Sequence, residues 1–201
     1  MDFEKILLGI SVWLLPVLIA ITFHEAAHGF IALRCGDDTA QRAGRVTFNP
    51  FKHVDRFGTI IIPAMLLLIQ SPFLFGYAKP VPVNFGRLNH PRRDMVWVAL
   101  AGPGINLILA VVSALLLHLL RYMPESVGFW ALENLRNSIQ INVILAVFNM
   151  LPIPPLDGGR VAVGLLPDVV GLSLGAAGTL GHVHHHRRSV HPASDRWTIR
   201  D

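Results

Sequence analysis

Hydrophobic positions form four stretches that contain no lysine or arginine and are long enough to cross a bilayer. They cover residues 6–33, 57–78, 95–120 and 137–156. The second stretch is interrupted by prolines and continues into PVPVNF, where alternating proline and valine favour extended chain over helix. The pattern predicts an all-α polytopic membrane protein, a helical bundle with one proline-rich, re-entrant segment.

Basic residues are distributed unevenly between these stretches. Residues 34–56 contain five lysines and arginines and residues 79–93 contain four, whereas residues 122–135 contain none. Because cytoplasmic loops carry the excess of positive charge, we expect the two basic loops inside and residues 122–135 outside. The 57–78 stretch must then enter the membrane and return through residues 79–85, as irregular backbone that lines protein or a wet cavity.

Composition supports the same class of protein. Of the 201 residues, 52% are hydrophobic and only 15% are charged, which is a low charge content for a soluble domain. The net charge of +4 is modest, and the sequence has no basic stripe with interleaved aromatic residues. We therefore expect the lipid bilayer as a partner and no nucleic acid.

The sequence TFHEAAHGF, residues 22–30, places ionisable side chains inside the first predicted span. His24 and His28 are four residues apart, so on a helix both imidazoles lie on one face. In this His-Glu-x-x-His pattern two histidines bind zinc and the glutamate, here Glu25, acts as general base on a water molecule. A structural role between helices is the alternative, but ionisable groups are costly in hydrocarbon and usually functional there. The spacing predicts a zinc site.

A third zinc ligand is predicted at Asp157, in the sequence PPLDGG. A catalytic zinc site has three protein ligands and one open position. In the predicted topology the first and last spans both run from outside to inside, which brings Asp157 to the depth of the two histidines. The prolines before Asp157 break the helix, and Gly158 and Gly159 permit close approach of the backbone.

Other polar residues have open assignments. Asn149 is predicted to stabilise a developing oxyanion, with a hydrogen bond between helices as an equal alternative. Asn106 is expected to form a hydrogen bond between helices, and the small residues around Gly102 are expected to let helices pack closely. His53 and Asp55 are expected to be surface or structural residues, with a second metal site as the alternative.

Five motifs resemble the site-2 protease family of intramembrane zinc metalloproteases. They are HEAAH at 24–28, NPFKHVDRFGTI at 49–60, GYAKPVPVN at 76–84, AGPGIN at 101–106 and NMLPIPPLDGGR at 149–160. The motifs follow the family's order, and the GYAKPVPVN segment is similar to the small prokaryotic branch that lacks a PDZ domain.

The resemblance implies one zinc ion bound by His24, His28 and Asp157, with Glu25 as general base and Asn149 as an oxyanion or substrate-positioning group. It implies hydrolysis of peptide bonds in or near transmembrane segments of other membrane proteins, as in regulated intramembrane proteolysis. The implied location is the prokaryotic cell (inner) membrane, with an active site that is buried between helices and faces the cytoplasm. The oligomeric state stays open.

Three further hypotheses concern mechanism and function. A substrate helix is expected to unwind locally and pair as an extended strand with residues 81–84, although Pro80 and Pro82 limit the available donors. A metal transporter or metal-sensing protein that uses His24, His28 and Asp157 as an ion site is the main alternative to a protease. A catalytically inactive scaffold that binds transmembrane partners is a third possibility, which the intact motif disfavours.

The domain prediction divides the chain in two. Residues 1–167 form the intramembrane metalloprotease core. Residues 168–201 form an atypical polar tail that is rich in histidine, where a further hydrophobic helix would be expected. We expect this tail to be disordered, or to be a truncated or frameshifted end.

Overall fold

A computed structural model of the chain describes residues 3–69 and 79–166. The six α-helices in these residues are α1 (Phe3–Arg34), α2 (Thr39–Arg42), α3 (Ile62–Leu68), α4 (Pro91–Leu117), α5 (Glu125–Asn149) and α6 (Asp157–Leu165). Short connecting elements are the 3-10 turns Pro50–Lys52, Phe85–Arg87 and Leu120–Tyr122 and the π-helical turn Arg56–Ile61. The described residues contain no strand.

The long helices α1, α4 and α5 pack against one another, and α6 packs against α4. The buried face of α4 carries mainly small or polar residues at helical spacing, which are Asp94, Val98, Ala99, Gly102, Pro103, Asn106, Ala110 and Ser113. Small side chains let two helix backbones approach closely. The centre of the bundle is therefore narrow and unusually polar.

Large apolar side chains lie on the outside of the bundle. Leu14 of α1 is 52% exposed, Val111 of α4 is 59% exposed and Val147 of α5 is 63% exposed. This arrangement suits a lipid environment. The apolar side chains outside can contact hydrocarbon, and each helix satisfies its own backbone polar groups. Two helical stretches of the described residues, Leu7–Arg34 and Pro91–Tyr122, are long and apolar enough to cross a membrane. The predicted all-α membrane protein is confirmed at this level.

The fourth predicted span has different bounds in the structure. Helix α5 begins at Glu125 and ends at Asn149, whereas hydropathy predicted a span over 137–156 and an external loop over 122–135. Polar residues in the first half of α5 lower its hydropathy, yet Asn137 is only 8% exposed. Its amide donates to the Val12 carbonyl at 3.0 Å, so these polar groups are satisfied inside the bundle.

The other predicted spans agree more closely. Helix α1 covers the predicted 6–33 stretch, and α4 begins four residues before the predicted 95–120 stretch and ends three residues before its end. The π-helical turn and α3 begin the predicted 57–78 stretch, but residues 70–78 lie outside the described residues, as does the predicted tail over 168–201. The return segment, residues 79–85, is non-helical up to Asn84 and has no sheet partner among residues 3–69 and 79–166.

Candidate metal centre

Three predicted ligands converge at the centre of the bundle. His24 and His28 lie one turn apart on α1, and Asp157 is the first residue of α6. The two Nε2 atoms are 3.0 Å apart, and Asp157 Oδ2 lies 3.2 Å from Nε2 of His24 and 3.3 Å from Nε2 of His28. All three side chains are buried. Within residues 3–69 and 79–166 this is the one group of three or more such side chains that could hold a metal ion.

Local sequence explains why Asp157 reaches this position. Helix α5 ends at Asn149, and three prolines in the following residues cannot donate the amide hydrogens that a helix needs. The chain turns back, and α6 then begins at Asp157. A Cβ atom on Gly159 would lie 2.7 Å from the Pro154 nitrogen, so only glycine permits this close approach. The predicted roles of the prolines and glycines are confirmed.

Gly102 of α4 makes room for both imidazoles. A Cβ atom at this position would lie 2.5 Å from Nε2 of His24 and 2.5 Å from Nε2 of His28. The small-residue stretch of α4 was predicted to serve helix packing. In the structure its glycine also leaves the space that the histidine side chains occupy.

The other ring nitrogens have partners that determine the tautomers. His28 Nδ1 lies 2.7 Å from the Val98 carbonyl oxygen, which can only accept, so this nitrogen carries the hydrogen. His24 Nδ1 lies 2.5 Å from Asn106 Oδ1. The Asn106 amide donates to Asn142 Oδ1 at 2.7 Å, which directs its oxygen towards His24. In the neutral tautomers with the hydrogen on Nδ1, both imidazoles present Nε2 lone pairs to each other and to Asp157.

This donor set fits a zinc ion. In those tautomers two Nε2 lone pairs and a carboxylate oxygen converge, and a bound cation would satisfy all three. With zinc–ligand distances of about 2.0–2.2 Å, tetrahedral ligand atoms lie about 3.3–3.6 Å apart. The observed separations of 3.0–3.3 Å lie at or within about 0.3 Å of the lower end of this range.

Arg160 is a residue of the site that the sequence analysis did not identify. Its guanidinium donates to Asp157 Oδ1 at 3.3 Å and so holds the carboxylate oxygen that faces away from the histidines. The guanidinium carbon also lies 5.6 Å from the centroid of the Phe85 ring. The spacing of three residues between Asp157 and Arg160 on a predicted helix was the available signal.

Glu25 lies beside the histidines and has a backbone partner. Its Oε2 accepts a hydrogen bond of 2.7 Å from the Val81 N–H, and its Oε1 has no hydrogen bond within the described residues. The sequence analysis assigned the backbone of residues 81–84 to substrate pairing. The structure corrects this for Val81, because its amide is already used by Glu25, and for Asn84, whose amide donates to Asp37 at 2.7 Å.

The remaining predicted residues lie in structural contacts. The side-chain amide of Asn149 donates to the Leu145 carbonyl at 3.0 Å within α5. Its predicted role as an oxyanion donor therefore stays a prediction. His53 is 2% exposed and its Nε2 donates to the Thr47 carbonyl at 2.9 Å, so it is structural and not at the surface. Asp55 accepts hydrogen bonds from two amides at the start of the π-helical turn.

Comparison with known proteins agrees with the site. The family model described as Peptidase family M50 matches residues 12–135 and 131–178. The chain is 40% identical over 173 residues to the putative zinc metalloprotease YwhC of Bacillus subtilis, a match that covers 84% of the chain and 75% of YwhC. It is 32% identical over 143 residues to the putative zinc metalloprotease Rip2 of Mycolicibacterium smegmatis, covering 70% of the chain and 52% of Rip2. No solved structure gives a significant match.

A helical bundle with an apolar exterior and a buried His-Glu-x-x-His helix defines the class of membrane metalloproteases. The chain belongs to peptidase family M50, the site-2 protease family. It is a zinc metalloprotease, and zinc is its metal.

Proposed function

We propose that this protein is an intramembrane protease that hydrolyses peptide bonds in or near transmembrane segments of other membrane proteins. The observation that carries the proposal is the depth of the ligand group inside the bundle. His24, His28 and Asp157 are 7%, 6% and 4% exposed, and the helices around them present apolar side chains outwards. A site in this position is suited to substrates that are themselves in the bilayer.

In the proposed mechanism the three ligands hold one zinc ion. When bound, zinc supplies Lewis acidity and lowers the pKa of water to about 7. Glu25 Oε1, which has no hydrogen bond in the described residues, takes the proton of the attacking water. Val81 keeps Oε2 in place during this transfer. The proton is then delivered to the leaving amine as the peptide bond breaks.

Asn149 is proposed to steady the developing oxyanion. Its amide lies at the last turn of α5, eight residues before Asp157, and donates to the Leu145 carbonyl. A rotation of this side chain would exchange an intrahelical hydrogen bond for one to the substrate. An oxyanion-hole donor of this kind contributes about 100- to 1,000-fold to kcat.

The proposed contact with substrate is a short strand pairing at Val83. Pro80 and Pro82 carry no amide hydrogen, and the amides of Val81 and Asn84 already donate to carboxylates. The Val83 N–H has no hydrogen bond within the described residues and is free to receive an extended substrate. This is a narrower contact than the pairing over residues 81–84 that the sequence suggested.

We propose that the site faces the cytoplasm of a prokaryotic cell. Helix α1 carries the histidines in its last third and is followed by residues rich in arginine. The backbone N–H of Asn89 donates to the Cys35 carbonyl at 2.8 Å, which ties the second basic loop to the same end of the bundle. An excess of positive charge at one end supports a cytoplasmic orientation of that end. YwhC and Rip2 are bacterial proteins.

The test uses the full chain in liposomes with a panel of single-span membrane proteins. Wild type is compared with His28→Ala, which removes one ligand, and with the matched control His118→Ala, an exposed histidine at the end of α4. Mass spectrometry of the fragments locates each cut, and a zinc-sensitive dye inside the vesicles reports transport.

Cuts in or near the spans by wild type and His118→Ala, but not by His28→Ala, support the proposal. Zinc flux without proteolysis would overturn it in favour of the transporter alternative. Cleavage confined to soluble domains would contradict the intramembrane substrate class.

A further inference from the structure

The orientation of Glu25 depends on the position of a distant segment of the chain. Within the described residues, the one hydrogen bond of its carboxylate comes from the Val81 N–H at 2.7 Å, across 56 residues of sequence. The flanking Pro80 and Pro82 have no amide hydrogen, so the backbone here offers Glu25 one donor. We call residues 79–84 the 79–84 segment. Any movement of this segment therefore moves or removes the hydrogen bond between Val81 and Glu25.

The 79–84 segment has a polar anchor at each end and apolar packing of Val81 and Val83 between them. At its first residue, the Lys79 N–H donates to the His53 carbonyl at 2.9 Å. At its last residue, the Asn84 N–H donates to Asp37 Oδ2 at 2.7 Å. Between them Val81 packs over Gly29 of α1, where a Cβ atom would lie 3.2 Å from the Val81 side chain.

Asp37 differs from an ordinary turn residue. It is completely buried, at 0% exposure, just after the Gly36 turn that ends α1. Its Oδ1 accepts hydrogen bonds from the amide and the hydroxyl of Thr39, which fixes the local turn. Its Oδ2 is used across 47 residues, on the Asn84 amide. A buried carboxylate is costly unless it is fully hydrogen-bonded, and every partner of Asp37 in the part of the chain that the structure describes is a neutral donor.

We propose that Asp37 is a positioning residue for Glu25, acting through the 79–84 segment. The proposal rests on the proposed function, in which Glu25 is the general base. Three donors point at the Asp37 carboxylate. An asparagine has one acceptor oxygen and an NH2 group, so at least one of these donors would face another donor. The Asn84 end of the segment would then be released, and Val81 would no longer fix Glu25 Oε2.

The test compares Asp37→Asn with wild type in the full purified chain. We expect kcat to fall about 10- to 100-fold, because a base displaced by about 1 Å loses that much rate. Zinc stoichiometry stays at one per chain, and KM rises together with the fall in kcat, because the released segment also carries the Val83 N–H that is proposed to pair with substrate. The matched control is Asp38→Asn, since Asp38 ion-pairs with the exposed Arg42 and Arg87 and should leave kcat near wild type.

An unchanged kcat in Asp37→Asn would overturn the proposal. Loss of zinc together with activity would also overturn it, because the role would then be structural. Should this variant fail to fold, Val81→Pro is the second test, because it removes the N–H that donates to Glu25 Oε2 and leaves Asp37 intact. An unchanged kcat in Val81→Pro contradicts the proposal equally. Failure of the proposed function is distinguishable, because wild type itself would then show no cleavage that depends on Glu25.

Discussion

Asn106 Oδ1 lies 2.5 Å from His24 Nδ1, so one side chain of α4 orients an imidazole that is carried by α1. The same asparagine donates to Asn142 of α5 and to the Ala20 carbonyl of α1. A single side chain thus connects the three long helices at the proposed zinc ligand. Such outer partners fix the tautomer and orientation of a ligating histidine.

Asn106→Ala should lower zinc affinity about 10- to 100-fold, because the His24 ring loses the acceptor that fixes its tautomer. Competition titration with a chelator measures this change. The matched control is Asn137→Ala, which removes another buried amide from the bundle, one that donates to Val12 and does not contact the ligands. Equal zinc affinities in the two variants would refute a specific role for Asn106.

Gly102→Ala should displace α4 from α1 and disturb zinc binding, because the added methyl group would lie 2.5 Å from both imidazoles. Overpacking of this kind costs about 1–3 kcal/mol of stability. Thermal unfolding and zinc content are the measurements. Gly104→Ala is the control, since a Cβ built there has no atom of the described residues within 4 Å other than those of its chain neighbours and its own helix backbone. If Gly102→Ala and Gly104→Ala have the same zinc content and melting temperature, the claim that α4 packs tightly against the imidazoles at Gly102 is contradicted.

Removal of zinc should lower the melting temperature of the wild-type protein. The three donor atoms converge in a buried site, and zinc at a thousandfold excess over its Kd stabilises the folded state by about 4 kcal/mol. A melting series with chelator and added zinc tests this. His28→Ala should show almost no response to zinc, and a response as large as that of wild type would show that stabilising zinc binds elsewhere.

Val83→Pro should raise KM for transmembrane substrates, because it removes the free amide proposed to pair with the substrate backbone. Its kcat and zinc content should change little, since the Val81–Glu25 hydrogen bond is retained. Steady-state kinetics separate this variant from Val81→Pro, in which kcat is expected to fall. A wild-type KM in Val83→Pro would eliminate the strand-pairing contact.

The proposed ligands could be predicted because their signal is mostly local. His24 and His28 lie four residues apart on one helix, and the helical spacing alone brings their rings together. Asp157 is far away in sequence, but the distribution of basic residues between the spans predicted its depth. The structure brings all three within hydrogen-bonding distance of one another.

The bounds of α5 were predicted poorly for a physical reason. Hydropathy identifies a span from its apolar residues, and the middle of α5 contains Asn134, Asn137 and Asn142. All three are buried and donate hydrogen bonds to groups within the bundle, so the helix tolerates them. A hydropathy profile does not record such partners.

The supports of the site were not predictable from side-chain patterns. The donor to Glu25 is a backbone amide, and every residue except proline carries one. The partner of His24 is 82 residues away, and its role depends on which face of α4 packs against α1. Asn106 was correctly predicted to form a hydrogen bond between helices. That His24 is one of its partners could be seen only once the helices were packed together.

The central claim is that Glu25 acts as general base at a zinc site made by His24, His28 and Asp157. Glu25→Gln is nearly isosteric and leaves the three ligands in place, but a neutral amide cannot accept the proton of water at neutral pH. Cleavage of a single-span substrate and bound zinc are measured on the same purified sample. The account predicts one zinc per chain and a rate reduced by about 100- to 10,000-fold. Wild-type cleavage by this variant with zinc bound would contradict it.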